Sequence, residues 1–151
     1  MKKEYQPVIS NRQALRDFTV EKTYEAGIEL FGNEVKSLRG GSANLKGSFA
    51  TVEKGQVYLY NMHISPYAFS RTDYEPLRKR KLLLHKTEIK HLEEKVHQKG
   101  YTVVPLKVYF KGSYAKVELA VARGKKFHDK RESIKEKEMR REIEKETRRR
   151  R

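Results

Sequence analysis

A break in composition at Arg123 limits the fold more than any other feature of the chain. From Arg123 to Arg151 there are 14 basic and seven acidic residues, a net charge of +7. Only Phe127, Ile134, Met139 and Ile143 could be buried in that stretch. So little apolar surface cannot offset the conformational entropy lost on ordering it alone. Any core must therefore come from the residues before it. The expected division is a body over 1–122 and a basic C-terminal tail over 123–151. The tail's composition still favours helix: Glu136 with Arg140, and Glu144 with Arg148, stand four apart with the acid first, the better orientation. A tail that is disordered when free and helical when a partner holds it is expected.

Short alternating runs dominate the body. Phe49 to Glu53 and Gln56 to Tyr60 flank Lys54-Gly55 and predict a hairpin. Tyr101 to Phe110 and Tyr114 to Ala122 predict a second one around Lys111-Gly112-Ser113, with Ala115, Val117, Leu119 and Val121 on one apolar face. Pro105 cannot donate to a ladder and belongs at an edge or bulge. Phe18 to Leu30 is also β-like, and Gly27 within it suggests a bulge or a close backbone approach. Three short helices are expected. Ser10-Asn11-Arg12-Gln13 fits a capping box with Ser10 as cap, before a turn that buries Ala14 and Leu15. Gly32 to Gly41 carries Val35 and Leu38 on one side, and Thr87 to Lys99 carries Ile89, Leu92 and Val96, closed by Gly100. Tyr67 to Arg80 is expected to be loop. Many short strands with few helices predict a mainly β chain, a small antiparallel barrel of oligonucleotide-binding type with flanking short helices.

Charge sets the partner class. Lys and Arg total 35 against 20 Asp and Glu, a formal net charge of +15 in 151 residues. Such an excess points to a polyanion, because basic side chains gain free energy by releasing counterions from phosphates. With no cysteine, disulfides, thiol catalysis and thiolate metal sites are excluded. Met1 to Pro7 has no apolar run behind its lysines, and no segment reaches the roughly 20 apolar residues of a membrane span. A cytoplasmic protein with no membrane partner, no cofactor and no metal is expected.

Nothing in the chain forms a nucleophile motif, a Gly-rich phosphate loop or a metal-spaced histidine pair. His91 and His97 are six apart on a helix and read as exposed, and His63 reads as a core or loop residue. Glu21, Glu25, Glu29 and Glu34 fit solvated strand and helix faces at least as well as acid–base roles. The basic runs say more. Arg78-Lys79-Arg80-Lys81 precedes three leucines. Gly124-Lys125-Lys126-Phe127-His128-Asp129-Lys130-Arg131 interleaves rings with cations, which suits base stacking beside phosphate contacts.

Longer strings narrow the reading. Asn11-Arg12, Tyr24-Glu25-Ala26-Gly27-Ile28, Gly32-x-Glu34-Val35-Lys36-Ser37-Leu38-Arg39 and His63-Ile64-Ser65-Pro66-Tyr67 occur in order. Arg80-Lys81-Leu82-Leu83-Leu84-His85, Gly100-Tyr101-Thr102-Val103-Val104-Pro105-Leu106 and Gly124-Lys125-Lys126-x-His128-Asp129-Lys130-Arg131 follow. From about Asn11 into the tail, the set resembles the SsrA-binding protein (SmpB) family. Glu75-Pro76 departs from the family's usual Asp-Pro but keeps the charge.

The resemblance implies a barrel that binds the tRNA-like domain of transfer-messenger RNA (tmRNA) and delivers it to stalled ribosomes for trans-translation. A monomer when bound to tmRNA, and no enzyme activity of its own, are also implied. RNA contacts are implied for Glu25, Leu83 and His85, with Arg80 and Lys81 in the adjoining basic run. For the tail, the implied partner is the ribosome, at its small-subunit rRNA decoding centre and empty mRNA channel. The tail residues so assigned are Gly124, Lys125, Lys126, His128, Asp129, Lys130, Arg131, Ile134 and Met139, with Ile143 a further apolar contact. Two other functions fit the composition: a ribosomal structural protein with a basic rRNA-binding extension, and an RNA hydrolase using Glu25 and His85.

Overall fold

A computed structural model describes residues 7–67 and 74–125, together with residue 141. Its elements are β1 (Ile9–Ser10), α1 (Arg12–Asp17), β2 (Phe18–Ile28), α2 (Gly32–Arg39), β3 (Ala43–Asn44), β4 (Phe49–Glu53), β5 (Gln56–Tyr60), β6 (His63–Ile64), β7 (Arg80–Leu83), α3 (Lys86–Val96), β8 (Tyr101–Lys111) and β9 (Tyr114–Gly124). Six strands close into a ring. β8 pairs with β4, β4 with β5, β5 with β7, β7 with β2, β2 with β9, and β9 with β8, all antiparallel. Each ring strand thus has a neighbour on both sides, which limits the unpaired backbone an open sheet would expose. β1 adds to β8, and β3 with β6 makes a separate ladder. This is the mainly β antiparallel barrel with short helices that the sequence predicts.

Both hairpins form. Glu53 faces Gln56 across Lys54 and Gly55, whose φ angles are 50° and 75°. A two-residue turn that matches strand twist needs positive φ at both positions, and glycine adopts it without strain. In the second hairpin Lys111 already pairs with Tyr114, so the loop tightens to Gly112-Ser113. A register shift lies between Pro105 and Lys107, at the bulge that proline's missing donor favours. Gly27 proves to be a close approach: a Cβ there would sit 3.3 Å from Leu83 Cβ on β7. The bulge in β2 falls instead between Val20 and Lys22.

Side chains alternate across the ring strands, and the inward set makes the core. Tyr24, Ala26 and Ile28 of β2 meet Val57, Leu59, Leu82, Val103, Val108, Val117, Leu119 and Val121, with Leu38 of α2 and Leu92 of α3 packed against them. β9 departs from the expected single apolar face. Ala120 and Ala122, on its other face, are buried with Ala14, Val104 and Leu106. Their small side chains belong to the cluster that also takes in Ala14 of α1.

The start of α1 also differs from expectation. Ser10 is held in β1 opposite Lys107, so the cap falls to Asn11. Asn11 Oδ1 accepts the Ala14 N–H at 3.2 Å while its Nδ2 donates to the Pro105 carbonyl at 2.9 Å. Ala14 is buried, but Leu15 is 55% exposed, since the six-residue helix turns only one side inward. Gln13 Oε1 accepts no hydrogen bond among the described atoms, so the capping box does not close.

Candidate RNA interface

β7 links the basic run to the barrel, and its alternation sorts that run. Leu59 lies opposite Arg80, Tyr58 opposite Lys81, and Val57 opposite Leu82. Arg80 and Leu82 face inward, whereas Lys81 and Leu83 face out, Leu83 being 48% exposed.

The expectation that Arg80 meets RNA is corrected by this placement, because its side chain is 0% exposed. Its guanidinium is saturated within the protein. Nε donates to Glu34 Oε2 at 2.7 Å, NH1 to the Met62 carbonyl, and NH2 to the Pro76 carbonyl at 3.0 Å and Tyr74 Oη at 3.3 Å. Glu34 is the second correction, being fully buried rather than on a solvated helix face. Its carboxylate bonds the Phe31 N–H at 2.9 Å and the guanidinium groups of both Arg78 and Arg80. Burial pushes the Glu34 carboxyl up, but the hydrogen bonds from Arg78, Phe31 and Arg80 prevail and hold it below its ordinary value. The cluster fastens the chain before β7 to α2.

Glu25, Leu83 and Lys81 lie on the outer face. Gly27, two positions from Glu25 and on the same side of β2, pairs with Leu83, so Glu25 and Leu83 are diagonal neighbours roughly 8 Å apart by strand geometry. His85 follows, exposed, as the residue before α3, and its N–H donates to Glu88 Oε1 at 3.1 Å. One outer surface therefore runs from Tyr58 and Lys81 through Leu83 to Gly27 and Glu25, then over Lys116 and Glu118 of β9 to Tyr109 and Lys107 of β8.

Glu25 has a defined setting. It faces Glu118 across the β2–β9 ladder, a like-charge pair that costs stability unless neutralised. Lys107 Nζ lies 3.3 Å from Glu118, and Lys111 Nζ lies 3.4 Å from Glu25. The Tyr109 hydroxyl reaches over β9 and donates to Glu25 Oε2. That bond is the main influence keeping the Glu25 carboxyl below its ordinary value, with Lys111 assisting against desolvation. In turn, burial and the Glu25 contact push the Tyr109 phenol up to about 12. Glu25 is thus an ionised acceptor of fixed position, suited to base or ribose donors. Sequence reasoning missed Tyr109, Lys107 and Lys111 in this setting; a barrel with β8 beside β9 was needed to bring them to β2.

Of the tail residues assigned to the ribosome, only Gly124 and Lys125 are described. Gly124 is the last residue of β9, opposite Phe18, and the Lys125 N–H donates to the Asp17 carbonyl at 2.9 Å. Arg123 also belongs to β9, between Thr19 and Tyr101, with its guanidinium 5.2 Å from the Tyr101 ring centroid. The ordered barrel therefore extends past the boundary expected at Ala122. Lys126, His128, Asp129, Lys130, Arg131, Ile134, Met139 and Ile143 lie outside the described residues. Among the described residues, no three His, Asp or Glu side chains cluster to hold a metal ion, and no helix is long and apolar enough to cross a membrane.

Similar proteins place these features in a family. Residues 8–149 match the family model described as SmpB protein. The SsrA-binding protein of Geobacillus thermodenitrificans is 56% identical over 144 residues, covering 95% of this chain and 93% of the relative. That of Caldanaerobacter subterraneus is 56% identical over 145 residues, covering 95% and 92%. A solved structure described as "tmRNA-SmpB: a journey to the center of the bacterial ribosome" matches with a TM-score of 0.69 and 55% identity, over 80% of this chain and 86% of that one. With a match that spans barrel and tail alike, this chain belongs to the SmpB family.

Proposed function

We propose that this protein binds the tRNA-like domain of tmRNA through the outer barrel face bearing Glu25, Lys81, Leu83 and His85, and carries it to stalled ribosomes for trans-translation. Family membership across residues 8–149 is the observation that carries this reading. The geometry supports it with an ionised acceptor, an apolar platform, an ammonium that meets no carboxylate among the described residues, and an exposed imidazole. Arg80 acts through position, holding β7 so that Lys81 and Leu83 face out. The protein is RNA-binding and non-catalytic. It works in the cytoplasm as a monomer on tmRNA.

The remaining assignment is a division of labour. The barrel selects the RNA, and the residues from Lys126 onward enter the vacant decoding centre and mRNA channel. His128 stacks on a base there, Asp129, Lys130 and Arg131 bond around it, and Ile134 and Met139 supply the sparse apolar contacts. Two measurements test this. The tRNA-like domain should bind much more tightly than an unrelated RNA hairpin of equal length at matched salt; equal affinity would refute the reading. Deleting residues after Lys125, which leaves β9 whole, should keep that binding and abolish peptide tagging on stalled ribosomes. Tagging by the shortened protein would overturn the tail assignment.

A further inference from the structure

Beside Lys81 the outer face opens into a groove of about 720 Å³, within the roughly 300–1,000 Å³ typical of small-ligand sites. Ile28, Glu29, Leu30, Phe31, Tyr58, Arg78, Lys79 and Lys81 line it. Three cations face one carboxylate, that of exposed Glu29. Two aromatic rings stand among them. Phe31 is 62% exposed, an unusual place for a phenylalanine at the entry to a helix.

The cations divide into two kinds. Arg78 is committed: it is tied to Glu34 and donates to the Lys79 carbonyl at 3.2 Å, while its guanidinium lies 4.1 Å from the Phe31 ring centroid. It fixes that ring as a flat platform. Lys79 and Lys81 are available. Lys79 lies 4.6 Å from the Tyr58 centroid and bridges Glu53 at 3.4 Å, but both partners of that bridge are well exposed, so little is lost on releasing it. Lys81 meets no carboxylate among the described residues. Below the groove a single buried carboxylate, Glu34, serves two guanidinium groups. A surplus positive charge is therefore built into the floor, and it favours an anion above it.

We propose that this groove is a second RNA contact, holding one unpaired nucleotide with its base stacked on Phe31 and its flanking phosphates on Lys79 and Lys81. It shares Lys81 with the contacts assigned above, adds Phe31 and Lys79 to them, and rests on the RNA-binding reading above. A flat exposed ring beside mobile ammonium groups is the arrangement that takes single strands with little regard to sequence. An acidic peptide would use the lysines but has no need of the ring.

The test uses the full chain and fluorescein-labelled deca-uridine, followed by anisotropy at several salt concentrations. Phe31→Ala should weaken binding by about tenfold, and Phe31→Trp should restore it. Lys79→Gln should lower the slope of log affinity against log salt by about one. Glu25→Gln should weaken binding of the tRNA-like domain, which reads the Glu25 site separately from the groove. A 5-bromouridine strand should crosslink to the peptide containing Phe31 or Tyr58, a readout that loss of folding in a variant cannot mimic. Wild-type affinity in a folded Phe31→Ala variant would overturn the proposal, as would displacement of deca-uridine by poly-glutamate of equal charge. If Glu25→Gln loses the tRNA-like domain while the groove variants lose nothing, only the groove assignment fails. If the wild-type chain ignores the tRNA-like domain, the functional reading itself fails.

Discussion

Glu25 and Glu34 lie nine residues apart and share a chemistry: each is a carboxylate held ionised by hydrogen-bond donors and cations. Glu34 is enclosed, with two guanidinium groups and a backbone N–H satisfying it completely. Glu25 stands on the outer face with one phenol and one lysine beside it. An enclosed carboxylate cannot recognise anything, but removing it strands its partners in low dielectric. An exposed one adds little stability, and its unfilled acceptor capacity remains for a ligand. The pair shows how one residue type can be closed into the fold or left open to a ligand within a short stretch of chain, with strand and helix direction deciding which.

The sharpest way to break this contrast is Glu34→Gln. It leaves Arg80 buried without its counter-charge, and stability should fall by about 3–5 kcal/mol, measured by urea unfolding. A loss under about 1 kcal/mol would mean that the cluster is better hydrated than its geometry implies. Acid should act through the same group. Because the folded carboxyl is lowered from 4.5, its stabilisation is fully present above that value and is lost as pH falls through the lower folded value. Urea midpoints from pH 6 down to pH 3 should decline for wild type and decline less for Glu34→Gln.

Glu25→Gln is the next largest effect, and it falls on binding alone. The tRNA-like domain should bind about tenfold or more weakly, in line with roughly 1.5–3 kcal/mol for a charged hydrogen bond, while the urea midpoint stays put. A shifted midpoint would place Glu25 with Glu34 as a structural group. Gly27→Ala probes the apolar neighbour. The new Cβ meets Leu83 Cβ at 3.3 Å, an atom carried by the β7 backbone, so β2 and β7 must part by a few tenths of an ångström. Stability should change by less than about 1 kcal/mol, but the displaced Leu83 should cost a few-fold in RNA affinity. Tyr109→Phe is the mildest. It removes the main bond holding the Glu25 carboxyl down, so that carboxyl should titrate nearer its ordinary value. Side-chain carboxyl NMR shifts across pH 3–6 would follow it.

The strands were largely legible because their signal is local. Alternation and Lys54-Gly55 identified the first hairpin, and Pro105 announced its own bulge. What failed was whatever depended on a partner distant in sequence. Ser10 looked like a cap until β8 claimed it as a strand residue. Leu15 looked buried until a helix of six residues proved able to turn only Ala14 inward. Arg80 and Glu34 look like surface charges in composition. Yet a signal for Arg80 was present: in a strand with Leu82 inside, the residue two before it points the same way. Glu34 gave no comparable signal, because its burial depends on Arg78 and Arg80, more than 40 positions away. Glu25, Leu83 and His85 stood out only through family strings, and the neighbourhood of Glu25 and Leu83 emerged with the β2–β7 pairing.

Calorimetric titration of the tRNA-like domain into Glu25→Gln/Leu83→Ala, with its urea unfolding alongside, tests the central claim most directly. The outer-face site predicts at least a hundredfold loss of affinity, from two contacts of roughly 1.5 kcal/mol each, with an unfolding midpoint close to wild type. Wild-type affinity in the folded double variant would contradict it and move the RNA site elsewhere on the barrel.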